Sequence, residues 1–422
     1  MEEFRQQKMS EKVPWIFQYF AGQTANSIFC SLTVFGTVFV LFLNKMGLPK
    51  SKIGFVLSLF PFCGILALFV SQWVAKTGVR KVFLTFWGLR QISIAAFMIS
   101  PFIINRFGLK AGFVFVSITI MGFAICRSFG EMAYYPWMQE VLPNDMRGRI
   151  SGVILIIYNS TNLLVNTILS IFVSRSDDIQ TFIIIFGIGL LFGLMSVIFY
   201  FPIPGGKSRQ IQADGLKQHE RFLDSLGDKR FLYYLIGTGL FFLSQGAASF
   251  LPLFFKEELI LGSGRVLIVS MSASAGVLAT SYLWGIMTDK YGGRRALLTY
   301  LPLSAIFPLL WVIIPRTSTS FVLAIIVQFC SGLVGAGYFI SDQRLLYTKV
   351  MPIEKNTAYM AVFYSWIGIT GGLGPIIMGQ VIDMSSKLHN QIWLINIDSY
   401  FVAFTFQVAM IIASILFIMK CR

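Results

Sequence analysis

Charge is the scarcest thing in this chain. Only 13% of its 422 residues are Asp, Glu, Lys or Arg, against about a quarter in an average soluble domain. Histidine is nearly absent: His219 and His389 are the only two, too few for a histidine-based metal or acid–base centre. The five cysteines (Cys30, Cys63, Cys126, Cys330, Cys421) are scattered, four of them in apolar runs, and no Cys-x-x-Cys occurs. That pattern supports neither a disulfide framework nor a thiolate metal site. No Gly-x-x-x-x-Gly-Lys-Ser/Thr string is present, which excludes P-loop nucleotide hydrolysis. A membrane-embedded transferase would gather His, Asp and Glu at one membrane surface, and two isolated histidines do not supply such a set. The chain therefore reads as a non-enzyme that needs no cofactor.

What is abundant is apolar surface, at 56% of residues and a mean hydropathy of +0.73. The length accommodates about a dozen membrane spans of roughly 20 residues each. Twelve apolar segments are legible, at 14–43, 53–75, 81–104, 111–139, 150–173, 179–202, 231–256, 264–288, 295–315, 319–348, 356–384 and 393–419. The first is too long, and too mixed in flanking charge, for a cleaved signal peptide. A net charge of +15 would suggest nucleic acid in a soluble protein. Here it belongs to loops facing an anionic leaflet, and no nucleic-acid partner is expected. With the N-terminus inside, the inner loops hold roughly twice as many Lys and Arg as the outer ones, so both termini are expected in the cytoplasm.

The polar stretch 203–230 separates two sets of six segments and reads as a linker. The expected organisation is a cytoplasmic N-terminus (1–13), a six-helix half (14–202), a cytoplasmic linker (203–230), a second half (231–419) and a cytoplasmic tail (420–422). An internal repeat supports the division. The string Ser71-Gln-Trp-Val-Ala75-Lys-Thr-Gly78-Val-Arg80-Lys81 aligns with Gly285-Ile-Met-Thr-Asp289-Lys-Tyr-Gly292-Gly-Arg294-Arg295, 214 positions later (71 to 285). Val141-Leu-Pro143-Asn-Asp145 likewise aligns with Val350-Met-Pro352-Ile-Glu354.

In the second copy, Gly285 would let two helices approach and Gly292 would supply a tight turn. Asp289 offers a carboxylate to a neighbouring helix N-terminus, and Arg294 and Arg295 hold the loop inside. This Gly-x-x-x-Asp-x-x-Gly-x-Arg-Arg string resembles the cytoplasmic loop signature of the major facilitator superfamily. The resemblance implies an all-α integral membrane fold: twelve transmembrane helices in two pseudo-symmetric six-helix bundles, monomeric, in the plasma membrane. It also implies a solute site between the halves near the midplane, with spans 1, 4, 7 and 10 at its centre. By the same resemblance Asp289 docks near the start of span 5 and helps hold the outward-facing state. Ser71 and Ala75 depart from the pattern, so the matching latch in the first half would be weaker and the gating asymmetric. The Gly-Pro string expected in span 5 of the proton-coupled drug antiporters is missing, which weighs against drug efflux. Glycines in span 11 (Gly371, Gly372, Gly374, Gly379, around Pro375) predict a closely packed helix.

Charges inside a bilayer are costly and mark function. Five qualify: Arg90 in span 3, Arg127 and Glu131 in span 4, Asp342 and Arg344 in span 10. Arg90 lies about 15 Å beyond Arg80 at 1.5 Å per residue. Arg127 and Glu131 share a helix face and can pair. Either arginine could bind an anionic or hydroxyl-bearing solute, with Glu131 as proton carrier; the structural alternative is a packing ion pair. Asp342 and Arg344, close to Lys349, are assigned to a cytoplasmic gate together with the signature residues Gly285, Asp289, Gly292, Arg294 and Arg295. Amides and hydroxyls form stripes: Gln23, Asn26, Cys30, Thr33 and Thr37 in span 1; Asn159, Asn162 and Asn166 in span 5; Tyr234, Thr238, Gln245 and Ser249 in span 7. Such groups suit hydrogen bonding to a polar solute, or join helices at about 0.6 kcal/mol each. Trp137, Trp366 and Tyr364 could stack on a sugar ring. The expected partners are a small neutral or anionic solute, a coupled proton, and lipid. Drug or metabolite efflux by proton antiport and a non-transporting receptor or sensor are the alternatives.

Overall fold

The computed structural model describes residues 14–143, 147–206, 227–317, 319–350, 356–388, 390–392 and 395–421. The linker calls at 207–226, both histidines, Asp145, Pro352 and Glu354 lie outside the described residues, as do the side chains of Ser71 and Ala75. Helix is the only spanning structure besides a closed barrel that satisfies every backbone group in lipid, and helices account for all twelve spans. Span 1 is Ile16–Leu32 with Thr37–Lys45, span 2 Lys50–Gly64 with Ala67–Thr77, and span 3 begins at Val79–Phe97. Ser100–Val141 runs through a kink at Gly108 (φ 82°) from the end of span 3 into span 4. Spans 5 and 6 are Arg147–Arg175 and Ile179–Tyr200. The second half has span 7 (Lys229–Ala248 and Leu251–Glu257), span 8 (Ser263–Tyr291), span 9 (Gly293–Ile313), span 10 (Ser320–Leu345, ending in a π turn at Leu346–Val350), span 11 (Asn356–Met384) and span 12 (Phe401–Lys420). Ten of these stretches are long and apolar enough by themselves to cross a membrane. Span 2, broken at 65–66, and span 3, carrying Arg80, Lys81 and Arg90, complete the set.

The last apolar segment is corrected at its start. Residues before Phe401 form a hairpin, β1 (Asn390–Ile392) antiparallel to β2 (Ile395–Ile397). Asp398 then caps span 12, its Oδ1 accepting from the Tyr400 and Phe401 amides at 2.9 and 3.0 Å. A carboxylate at a helix N-terminus satisfies amides that would otherwise be orphaned, so the helix starts there and not at 393.

Pseudo-symmetry extends to local geometry. The breaks in span 1 (33–36) and span 7 (249–250) align at the 214-residue offset. Gly78 (φ 99°) and Gly292 (φ 85°) make the same positive-φ turn, which favours glycine because a Cβ is strained there. Arg80 donates to the Phe201 carbonyl at 2.6 Å, and its counterpart Arg294 donates to the Met419 carbonyl at 2.6 Å. Each arginine thus ties the end of its half's last helix, where carbonyls lack helical partners.

The core is divided unequally. On the side away from the basic loops, one buried cluster runs through both halves, from Phe39, Phe42 and Ile53 to Phe254, Val266 and Phe404. On the basic side, each half has its own cluster, around Phe83 and Trp137 in one and Tyr234 and Trp284 in the other.

Candidate functional site

Where the halves meet, contacts concentrate at the end away from the basic loops. The Asp383 carboxylate, in the last turn of span 11, accepts from the first amides of span 2: Lys50 N at 3.1 Å and Ser51 N at 2.7 Å. Lys50 Nζ reaches Glu257 at 3.0 Å, and Glu257 also accepts from Asn44 and Tyr400. Asp177 lies between Lys45 and Lys256 at 3.4 and 3.5 Å. The backbones come close there too: a Cβ on Gly54 would overlap the Pro375 carbonyl, and one on Gly379 the Lys50 carbonyl. Of the glycines expected to pack span 11 tightly, Gly372 and Gly379 do so against span 2, and Gly374 against Gly246 of span 7. The deepest polar contacts between the halves are Thr167 with Met271 at 3.2 Å and Ser274 with Asn162 at 3.3 Å.

The charged centre lies in the first half. Arg127 Nε donates to Glu131 Oε1 at 2.7 Å, as the four-residue spacing predicts, and both side chains stay open, at 30% and 42% exposure. The Arg127 guanidinium also lies 4.6 Å from the Phe35 ring, in the break of span 1. Arg90 differs. It is 1% exposed, its guanidinium stacks 3.3 Å from the Trp87 ring and 4.8 Å from Phe29, and Nη2 donates to Asn26 Oδ1 at 2.6 Å. Its Nε has no partner in the structure. Arg90 thus stands behind span 1 and orients Asn26, while Arg127 faces open space. Gln23 donates to the Tyr134 hydroxyl, which also meets Tyr19 at 2.6 Å.

Other predicted residues are more engaged. Asn159 bonds back to the Leu155 carbonyl at 2.9 Å. Asn166 donates to Asn162 Oδ1 at 2.9 Å, the same oxygen that Ser274 reaches. Gln245, half-buried, lies 3.4 Å from Ser244 Oγ. Tyr234 is wholly buried and donates to Asp342 Oδ1 at 2.7 Å, so the pair stitches span 7 to span 10 inside the second half instead of lining a cavity. Trp137 is likewise buried, with Nε1 on the Pro204 carbonyl at 2.7 Å, and Trp366 Nε1 donates to the Leu235 carbonyl at 2.7 Å. Trp137 is therefore not free to stack on a sugar, whereas the Trp366 ring is only partly buried. Tyr364 is exposed.

Among the signature residues, Asp289 pairs with Arg344, joining spans 8 and 10 of one half. Gly285 has nothing within 4 Å of where a Cβ would sit. The close approach expected there occurs instead at Gly276, where a Cβ would overlap the Phe329 carbonyl of span 10. Arg294 holds the end of span 12, as described, and Arg295 is exposed. The contacts of Asp383, Glu257 and Lys50 at the end away from the basic loops were not anticipated. One signal was present: an acid in the last turn of a helix opposes that helix's dipole and calls for a partner elsewhere.

Two six-helix halves around a charged, partly open centre define a carrier of small solutes, not a catalyst. The chain belongs to the major facilitator superfamily: that family's sequence model matches residues 24–375, and a second match covers 234–421. No curated protein matches the chain at a significant level. Among solved structures, a variant of the nucleoside transporter NupG is similar, with a TM-score of 0.74 at 14% identity over 96% of this chain and 99% of that one. A D-xylose–proton symporter gives 0.69 at 17% identity, over 96% and 98%. A bacterial homologue of the iron transporter ferroportin in its inward-facing state gives 0.69 at 12% identity, over 98% and 99%.

Proposed function

We propose that the protein moves a small polar solute, neutral or anionic, across the plasma membrane by alternating access, with its termini and basic loops in the cytoplasm. The observation that carries this reading is the asymmetry of closure. One apolar cluster and a set of ion pairs seal the halves together on the outer side, while separate clusters serve the two halves on the basic side. That is the arrangement of a carrier open toward the cytoplasm, with Arg127 and Glu131 at mid-depth beside the opening. Rocking the halves about this level would exchange the seal for one on the other side.

Transport is driven by the solute gradient, alone or with a proton carried on Glu131. In the second case the proton-accepting group is the Glu131 carboxylate, released from Arg127 when the solute takes its place.

The test is solute counterflow in proteoliposomes, preceded by a thermal-stability screen of sugars, organic acids, nucleosides and drugs. A true ligand at one hundred times its Kd stabilises the protein by about 2.7 kcal/mol. Counterflow of a stabilising solute, lost in Arg127→Ala, supports the reading. Binding without flux would instead indicate a receptor.

A further inference from the structure

Charged residues in the twelve spans lie close to span ends, with three exceptions. Arg90 is about 16 Å from the start of its helix, and Glu131 and Arg127 are about 15 and 21 Å from the end of theirs, at 1.5 Å per residue. Asp342, about 12 Å from the end of span 10 at 1.5 Å per residue, is no counter-charge to the arginines, because it is buried inside the second half on the Tyr234 hydroxyl. Ser341 meets Thr288 at 3.3 Å and Arg344 pairs with Asp289, so that stretch of span 10 is level with the last turns of span 8, at the basic face. Spans 7, 8, 9, 11 and 12 place no charge at mid-depth at all. The charged centre of the first half therefore holds two guanidinium groups and one carboxylate.

A net positive charge in the middle of a bilayer is costly. The Trp87 and Phe29 faces and the Asn26 carbonyl soften the field of Arg90, but ring quadrupoles and an amide dipole are not a counter-charge. The partnerless Arg90 Nε, wholly buried, shows the same deficit. Glu131 can neutralise one arginine only, and it sits on the exposed one.

We propose that the solute is a small organic monoanion whose acid group takes Arg127 in place of Glu131, with Arg90 supplying the balancing field from behind span 1. This rests on the carrier reading above and narrows its substrate class. The planar guanidinium fork suits a carboxylate, with two parallel donors. Arg127 and Glu131 are both open to an incoming group, so the exchange needs no unpacking. Arg90 acts as a positioning residue, through Asn26.

The experiment uses the full-length protein in proteoliposomes and matched probes that differ in charge: glucuronate against glucose, nicotinate against nicotinamide, lactate against propane-1,2-diol. Glucose 6-phosphate separates phosphate from carboxylate recognition. The expected result is that an acid binds and exchanges at least about tenfold better than its neutral twin, the size of one charge-assisted contact. Arg127→Gln removes that preference and Arg127→Lys keeps part of it. Glu131→Gln tightens acid binding by about fivefold, by removing a half-exposed competitor. A neutral or cationic solute bound and carried as well as any acid would overturn the anion assignment and leave the carrier reading standing. A preference for acids that survives in a folded Arg127→Gln protein would overturn the site. Neither binding nor exchange with any probe would overturn both readings.

Discussion

At the residue scale, the same side-chain types do opposite work according to which way their helix faces. Arg90 and Arg127 were equal candidates in the sequence, yet one is stacked and buried while the other is open beside its acid partner. Periodicity shows which residues share a face, but not where that face looks. Tyr234 belonged to a polar stripe for that reason and proves to be a buried donor to Asp342. Tyr234→Phe leaves this buried carboxylate without that donor and should cost about 1–3 kcal/mol of stability, read as a lower melting midpoint in detergent with the solute preference unchanged. Gly292, by contrast, was legible from the motif alone, because its turn requires φ near +85°. Gly292→Ala should cost about 1–2 kcal/mol in the same assay.

At the element scale, all twelve spans were legible, because an apolar run long enough to cross lipid has almost no alternative to helix. Their ends were less so. The run before Phe401 was apolar enough to be counted as helix, and only the hairpin and the Asp398 cap show otherwise. Packing partners were also hidden, since glycine in a sequence does not reveal which glycine touches a neighbour. Gly276 lies against the Phe329 carbonyl and 2.7 Å, measured from an added Cβ, from Leu333 N, whereas Gly285 faces open space. Gly276→Ala should therefore push spans 8 and 10 apart and cost about 1–3 kcal/mol. Gly285→Ala should be neutral or stabilise by about 0.5–1 kcal/mol, as alanine does in a helix interior. Paired melting curves check both, and equal effects would refute the packing assignment.

At the scale of the whole molecule, two halves were legible from the repeat, and their present arrangement was not. Which ends are sealed depends on contacts between residues hundreds of positions apart, such as Asp383 with Ser51, and no local pattern encodes them. The fold is similar to a ferroportin homologue in both of its states, with TM-scores of 0.69 inward-facing and 0.62 outward-facing. Asp383 can cap span 2 only while the outer ends are together. Asp383→Ala should remove about 1–2 kcal/mol from the closed-outside state alone and raise the outward-open population about 5- to 30-fold. Labelling of a cysteine placed at Ser58, wholly buried one turn beyond Gly54 in span 2, should speed up accordingly.

The most direct test of alternating access locks the outer seal. Asn44 and Glu257 touch across the halves through their side-chain tips, at 3.2 Å, so Asn44→Cys with Glu257→Cys, in a background with the native cysteines changed to alanine, can be bridged by a short bis-methanethiosulfonate cross-linker and later released by reductant. The bridged protein should still bind solute but lose counterflow, with flux restored by reductant. Undiminished counterflow through the bridged protein would contradict the account, because the solute would then cross without the halves parting.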